Sequence, residues 1–294
     1  MSAIPSLVDG DWLEARLGEP DLVVLDATVR LSPVAADGSY TVESGRAGWE
    51  RVHVPGSLHA DLLHDLSDPE APHRFTMPRP DDLADALGRL GVGDGRVVVL
   101  YDDDASMWAA RLWWMLRALG FDDAALLDGG LGLWTQEGRP LTGNPTTPRP
   151  TRFVPRPRPG LIVGRHEVEE ALHEGDRVLV NALQPEGFRG ETNRYTRPGR
   201  IPTSVNVPSR GLLDPEDGTY LAERELTARF AEAGVLDGRP VIAYCGGGIS
   251  AASVAFALTR IGCEDVALYD GSLAEWSADP SLPLVTGPSE DTTD

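Results

Sequence analysis

The chain has 294 residues, room for two domains with a core each, and its 41% hydrophobic content suits a globular protein rather than a disordered or fibrous one. A formal charge of −20 opposes a nucleic-acid backbone or an anionic membrane as the main partner, since both require a positive surface. All 26 basic residues are arginines, which excludes lysine Schiff bases and lysine phosphate loops and leaves anions to arginine forks, backbone amides or helix ends.

The N-terminus, Met1 to Asp11, lacks the basic start and apolar stretch of a signal peptide, and no apolar run approaches the ~20 residues that span a bilayer. Only Cys245 and Cys263 are present, so neither a disulfide framework nor a cysteine zinc site is expected, and a reducing cytoplasm fits best. The first predicted strand, Val23 to Ala27, ends on Asp26. A proline turn, His53-Val54-Pro55-Gly56-Ser57, follows, then a strand, loop and helix from Val97 to Gly120, and then Leu126-Leu127-Asp128-Gly129-Gly130 with Trp134. Thr142 to Gly160 is rich in proline and carries Arg149, Arg152, Arg156 and Arg158 without helical or strand period, so it reads as an extended linker.

The same landmarks then return in the same order. Val178 to Ala182 is a strand ending on Asn181, and Arg200-Ile201-Pro202-Thr203-Ser204 is the turn. The third landmark runs from Val241 to Gly262, and Leu268-Tyr269-Asp270-Gly271-Ser272 with Trp276 is the last. Strands alternating with helices imply α/β domains with parallel sheets covered by helices. The expected division is 1–141, a linker over 142–160, a second domain over 161–286, and an acidic tail over 287–294.

The two halves differ where chemistry is expected. In the second, the buried strand Val241 to Tyr244 delivers Cys245 into Gly246-Gly247-Gly248-Ile249-Ser250, and a helix of small residues is predicted from Ala251 to Ile261. Successive glycines let backbone N–H groups converge on an anion, and the helix start adds partial positive charge, so a nucleophilic thiolate is favoured at Cys245. Ser250 suits a substrate hydrogen bond, a helix cap, or both. The first half has Asp102, Asp103 and Asp104 there, with one extra residue before the helix; a capping and solvation role is expected for them rather than a metal site.

With the repeat and the loop in place, the chain resembles a tandem-domain sulfurtransferase of the rhodanese family, the group containing thiosulfate and 3-mercaptopyruvate sulfurtransferases. The resemblance spans nearly the whole chain. It implies two rhodanese-like domains, a silent first and a catalytic second, and sulfane sulfur passing through a persulfide of Cys245 to cyanide or a thiol, small or on a thioredoxin-like protein. No cofactor or metal is implied. Related phosphatases require an arginine where Ala251 stands, so phosphatase chemistry lacks its clamp, and Cys-Gly-x-Gly-x-Ser lies nearer the mercaptopyruvate pattern than the thiosulfate one.

The donor-binding segment departs from that family. Asn181-Ala182-Leu183 and Glu186-Gly187-Phe188 stand where relatives carry two arginines, and the usual carboxylate anchor falls on Gly187; Arg189 or Arg194 is the expected replacement. The resemblance also points to His53 for proton transfer, with Glu43 and Ser44 in the neighbourhood of an acidic partner that has no clear match, and to Trp108 facing the active loop; for both rings a packing role is the expected one. Cys263 reads as a packed small residue. The missing arginines motivate a rival reading, a sulfur-carrier or binding module fed by a protein desulfurase.

Overall fold

The computed structural model describes residues 4–32, 40–192 and 194–288. They fall into two compact units, the first taking the described residues up to Pro159 together with Leu213–Tyr220, the second taking Gly160–Leu212 and the chain from Leu221.

The first unit contains strands β1 (Leu7–Val8), β2 (Leu22–Asp26), β3 (Val29–Leu31), β4 (Val42–Ser44), β5 (Leu58–His59), β6 (Val97–Tyr101) and β7 (Ala124–Leu127). β3 and β4 form an antiparallel pair; the other five make one parallel sheet in the order β1-β7-β6-β2-β5. The second unit contains β8 (Ile162–Val163), β9 (Val178–Asn181), β10 (Val205–Asn206), β11 (Val241–Tyr244) and β12 (Val266–Tyr269), all parallel, in the order β10-β9-β11-β12-β8. Read from its other edge, this is the order of the first sheet. The central strands β6, Val-Val-Val-Leu-Tyr, and β11, Val-Ile-Ala-Tyr, are apolar without alternation because helices cover parallel sheets and leave no wet face. Those helices are α1 (Gly10–Glu14), α2 (Arg46–Arg51), α3 (Pro80–Arg89), α4 (Met107–Ala118) and α5 (Gly130–Gln136) in the first unit. In the second they are α6 (Arg165–Glu174), α7 (Pro185–Phe188), α8 (Glu223–Glu232), α9 (Ile249–Arg260) and α10 (Ser272–Trp276).

The internal repeat extends to individual hydrogen bonds. Tyr101, at the end of β6, shares a hydrogen bond with Ser57 Oγ (2.9 Å) and accepts one from Val54 N–H (3.3 Å). Tyr244, at the end of β11, donates to Ser204 Oγ (2.8 Å) and accepts from Ile201 N–H (3.1 Å). Each tyrosine pins its proline turn to the central strand, and burial pushes Tyr244 up to about 12, so its hydroxyl stays protonated. Trp134 and Trp276 likewise each donate to a proline carbonyl, of Pro140 and Pro283, at 2.8 Å.

The proline-rich segment is tied to the first unit rather than spanning free. Thr151 N–H bonds Gly88 O (2.9 Å), Arg156 N–H bonds Leu119 O (2.7 Å), and Phe153 packs edge-on against Phe121. Leu213–Tyr220, expected inside the second half, groups with the first unit because Asp128 Oδ1 accepts from Tyr220 N–H at 2.8 Å. At the C-terminal end, Arg200 donates to the carbonyls of Gly287 (2.7 Å) and Pro288 (3.1 Å); the rest of the expected acidic tail lies outside the described residues.

Candidate active site

β11 ends at Tyr244 and hands the chain to Cys245, which is 2% exposed. The helix begins at Ile249, two residues earlier than the small-residue run predicts, because Gly248 takes a left-handed conformation (φ +75°) that turns the chain directly into α9. Ile249 and Ser250 therefore belong to the first turn of the helix, and its positive end begins four residues after the thiol.

One side chain outside the loop fixes its neck. Ser272 Oγ accepts from Cys245 N–H (3.1 Å) and Gly248 N–H (3.2 Å) while donating to Tyr269 O (2.8 Å). The following turn closes the loop from below: Leu273 N–H bonds Cys245 O (3.1 Å) and Ala274 N–H bonds Gly246 O (2.8 Å). These contacts occupy the carbonyls of Cys245 and Gly246. The N–H groups of Gly246 and Gly247 have no acceptor among the described residues, which leaves them for an incoming anion.

The equivalent loop in the first unit is filled by its own side chain. Asp102 is 1% exposed, and its Oδ1 accepts from Asp104 N–H (2.8 Å) and Ser106 N–H (3.1 Å). Its Oδ2 accepts from Trp108 N–H (2.9 Å) and Ala109 N–H (2.8 Å). Burial pushes this carboxyl up to about 7 against the pull of the Ala109 and Asp104 N–H groups, with the charges of Asp104 and Asp103 adding to the rise. The backbone frames match: Leu131 N–H bonds Asp102 O (2.9 Å) as Leu273 N–H bonds Cys245 O, and Ser106 takes the left-handed turn of Gly248 (φ +53°). α4 starts one position later than α9, as the extra residue requires. Asp103 pairs with Arg30, and no group of three or more His, Cys, Asp or Glu among the described residues is arranged to hold a metal ion.

Of the other residues singled out in the sequence, Arg189 and Arg194 share the second unit with Cys245. Arg189 is engaged by Glu191 through both arms of its fork (2.6 and 3.0 Å). Arg194 is exposed. Their neighbours serve the fold: Arg197 donates to the carbonyls of Trp276, Ser277, Asp279 and Leu282, and Arg200 lies over the Phe188 ring. At Gly187 an added Cβ meets Leu183 at 3.5 Å. His53 and Trp108 belong to the first unit. The His53 ring is buried, stacked on Trp49 (4.5 Å) with Nδ1 2.6 Å from Trp49 O, and its Nε2 has no partner among the described residues. Trp108 is buried against Phe75 (5.1 Å), and its indole N–H has no partner among the described residues. Cys263 is half-buried, and burial, with Asp265 beside it, pushes its thiol up.

Three features were not read as functional from the sequence. Ser272 appeared only as the end of a repeated Asp-Gly-Ser landmark; the signal was that its counterpart is Gly130, since both positions need a positive φ (+48° and +56°). Tyr195 is the second. Its hydroxyl lies so close to Gly246 that a Cβ there would stand 1.7 Å from the phenolic oxygen. The third is the pair His59 and Asp61 in the first unit, which join Ser44, already singled out, in a polar cluster: Ser44 Oγ donates to Asp61 Oδ2 (2.7 Å) and sits 3.1 Å from His59 Nε2. Burial pushes Asp61 up, but hydrogen bonds from Ser44 and His64 outweigh it and hold the carboxyl below its ordinary range.

Two matching parallel sheets, each with a strand-to-helix loop that gathers backbone N–H groups, and a cysteine in only one of those loops, define a duplicated α/β fold with one candidate nucleophile. The model of the rhodanese-like domain matches residues 9–137 and 165–279, and the chain belongs to the rhodanese-like family. It is 37% identical to the probable 3-mercaptopyruvate sulfurtransferase of Pseudomonas aeruginosa, over 96% of this chain and 98% of that protein. The crystal structure of SseA from Escherichia coli, a 3-mercaptopyruvate sulfurtransferase, superposes with a TM-score of 0.80 at 31% identity, over 92% of this chain and 99% of that one. The anaerobic ergothioneine biosynthesis enzyme from Chlorobium limicola, bound to trimethyl histidine, gives a TM-score of 0.81 at 26% identity, over 97% of this chain and 71% of that one. By these relationships the chain is a sulfurtransferase of the rhodanese type. No helix among the described residues is long and apolar enough to cross a membrane.

Proposed function

We propose that Cys245 takes a sulfane sulfur from 3-mercaptopyruvate, holds it as a persulfide above the amides of residues 246–250, and passes it to cyanide or a thiol. The observation that carries this reading is the filled loop of the first unit. A carboxylate oxygen of Asp102 lies two bonds beyond Cβ, and so does the terminal sulfur of a cysteine persulfide. Four backbone N–H groups meet the carboxylate in one repeat; the other repeat has a closely related backbone frame and a cysteine at its mouth. Amides aimed at a developing anion stabilise it without reorganisation. The sulfur is thereby transferred in two easier steps through a covalent intermediate.

The loop Cys245-Gly246-Gly247-Gly248-Ile249-Ser250 and the names of the relatives favour 3-mercaptopyruvate over thiosulfate. Arg194, exposed and next to Tyr195, is our candidate for the donor carboxylate. Ser250, in the first turn of α9, is a candidate for a further contact with the donor. Two free thiols suit a reducing cytoplasm. The test is turnover with each donor, following pyruvate or sulfite release with cyanide as acceptor. Faster turnover with 3-mercaptopyruvate, lost in Cys245→Ser, bears the reading out, and faster turnover with thiosulfate refutes the donor assignment. The engagement of Arg189, Arg197 and Arg200 within the fold favours a second reading, a carrier fed by a protein persulfide. That reading requires loading of Cys245 by a desulfurase but by neither small donor.

A further inference from the structure

Cleaving a carbon–sulfur bond raises a need that the loop amides do not meet. When the Cys245 thiolate attacks the sulfur of 3-mercaptopyruvate, the new S–S bond forms, the C–S bond breaks, and its electron pair stays on the methylene carbon as the enolate of pyruvate. That carbon must gain a proton before pyruvate leaves. Backbone amides stabilise anions but do not give up protons at neutral pH, so a side-chain acid beside the nucleophile speeds this step over protonation by solvent, typically by about 10²–10⁴-fold.

Tyr195 is placed for this. Its ring packs against the core cluster of the second unit that includes Tyr244, Tyr269 and Trp276, which fixes the direction of the phenol. The hydroxyl reaches the α-carbon of Gly246, the residue immediately after the nucleophile, closely enough that no side chain fits between them. Gly246 cannot retreat, because its carbonyl is held by Ala274 N–H at 2.8 Å. A mobile surface tyrosine would not need a glycine beneath it; this contact is built from both sides.

Resting on the donor assignment above, we propose that Tyr195 is the general acid of the sulfur-loading step, protonating the methylene carbon of the departing pyruvate enolate. The step balances within the site. The donor enters as a thiol, so the first product is the protonated persulfide Cys245–S–SH. Tyr195 gives its phenolic proton to carbon, and the phenolate recovers a proton from the persulfide, which is left as the anion that the loop amides favour. No outside oxidant, reductant or base takes part.

Thiosulfate supplies the contrast. Attack on its outer sulfur expels sulfite, which leaves with the electron pair and needs no proton on carbon. Single-turnover persulfide formation, read by rapid quench and intact mass, is to be measured for the full chain and for Tyr195→Phe with each donor. The phenylalanine keeps the ring in its packing and removes only the hydroxyl. The expected result is a loss of ~10²-fold with 3-mercaptopyruvate, as removal of a general acid gives, and an unchanged rate with thiosulfate, which also reports that the variant is folded. Equal losses with both donors would make Tyr195 a support for the loop and overturn the proposal, as would no loss with either. A wild-type chain loaded by thiosulfate alone would overturn it by removing the step. Loading by neither donor defeats the donor assignment itself, and this inference with it.

Discussion

Replacing Ser272 by alanine removes one oxygen atom that serves three partners. Cys245 N–H and Gly248 N–H lose their acceptor inside a buried loop, and each buried donor left without a partner costs about 1–3 kcal/mol. Partial relaxation of the loop brings the sum to about 2–4 kcal/mol. The backbone at 272 adds a second effect, because φ is +48° and a side chain in the left-handed region costs roughly 1–2 kcal/mol. Glycine escapes that cost and gives back part of it as unfolded-state freedom. Ser272→Gly is therefore expected to be about 1 kcal/mol more stable than Ser272→Ala, though both lack the hydroxyl. Urea melts of the three proteins, with persulfide formation measured in parallel, give the order wild type, glycine, alanine. Both variants should load sulfur more slowly, since the neck of the loop is loosened. An alanine variant as stable and active as wild type, or more stable than the glycine variant, would refute the reasoning.

Gly246→Ala places a methyl group 1.7 Å from the Tyr195 oxygen; the loop or the phenol must shift by about an ångström, and single-turnover loading from either donor should fall by ~10²-fold. Arg194→Ala should raise KM for 3-mercaptopyruvate about tenfold with kcat little changed, the loss of one charge-assisted contact to a carboxylate, while Arg189→Ala leaves KM as it is; steady-state kinetics decide both. Asp102 contributes a pH dependence of known sign. Its carboxyl is raised from the ordinary 3.8 to about 7, mainly by burial, so the folded unit holds the proton more tightly than the unfolded chain. Its stabilising contribution is complete below the unfolded value and is lost as the pH rises towards 7. Thermal melts from pH 4 to 8 should show wild type losing Tm relative to Asp102→Asn over that window; parallel curves would count against it.

Much of the site was legible because its chemistry is local in sequence. A buried strand, a cysteine, three glycines and a small-residue helix specify an anion-binding turn through backbone geometry alone, and the repeat showed which half kept the nucleophile. Strands alternating with helices gave the covered parallel sheets. Tertiary contacts were less visible. Ser272 stands 27 residues from Cys245 in sequence, and only its glycine counterpart in the other repeat hinted at a strained turn. Tyr195 was passed over between arginines that drew attention by charge, although the fold uses Arg197 and Arg200 as bridges to carbonyl groups. Three consecutive aspartates suggested solvated caps. Asp102 does cap backbone N–H groups at the start of α4, but from inside the loop, and nothing in composition distinguishes a buried carboxylate from an exposed one. The start of α9 came two residues early because Gly248 completes the turn by itself.

The central claim is that Cys245 carries the transferred sulfur, and intact-mass analysis after brief exposure to 3-mercaptopyruvate tests it most directly. The account predicts a gain of one sulfur atom, localised by peptide mapping to Cys245, removed by cyanide and absent from Cys245→Ser. Pyruvate release that persists in Cys245→Ser, or sulfur found on Cys263 instead, would contradict it.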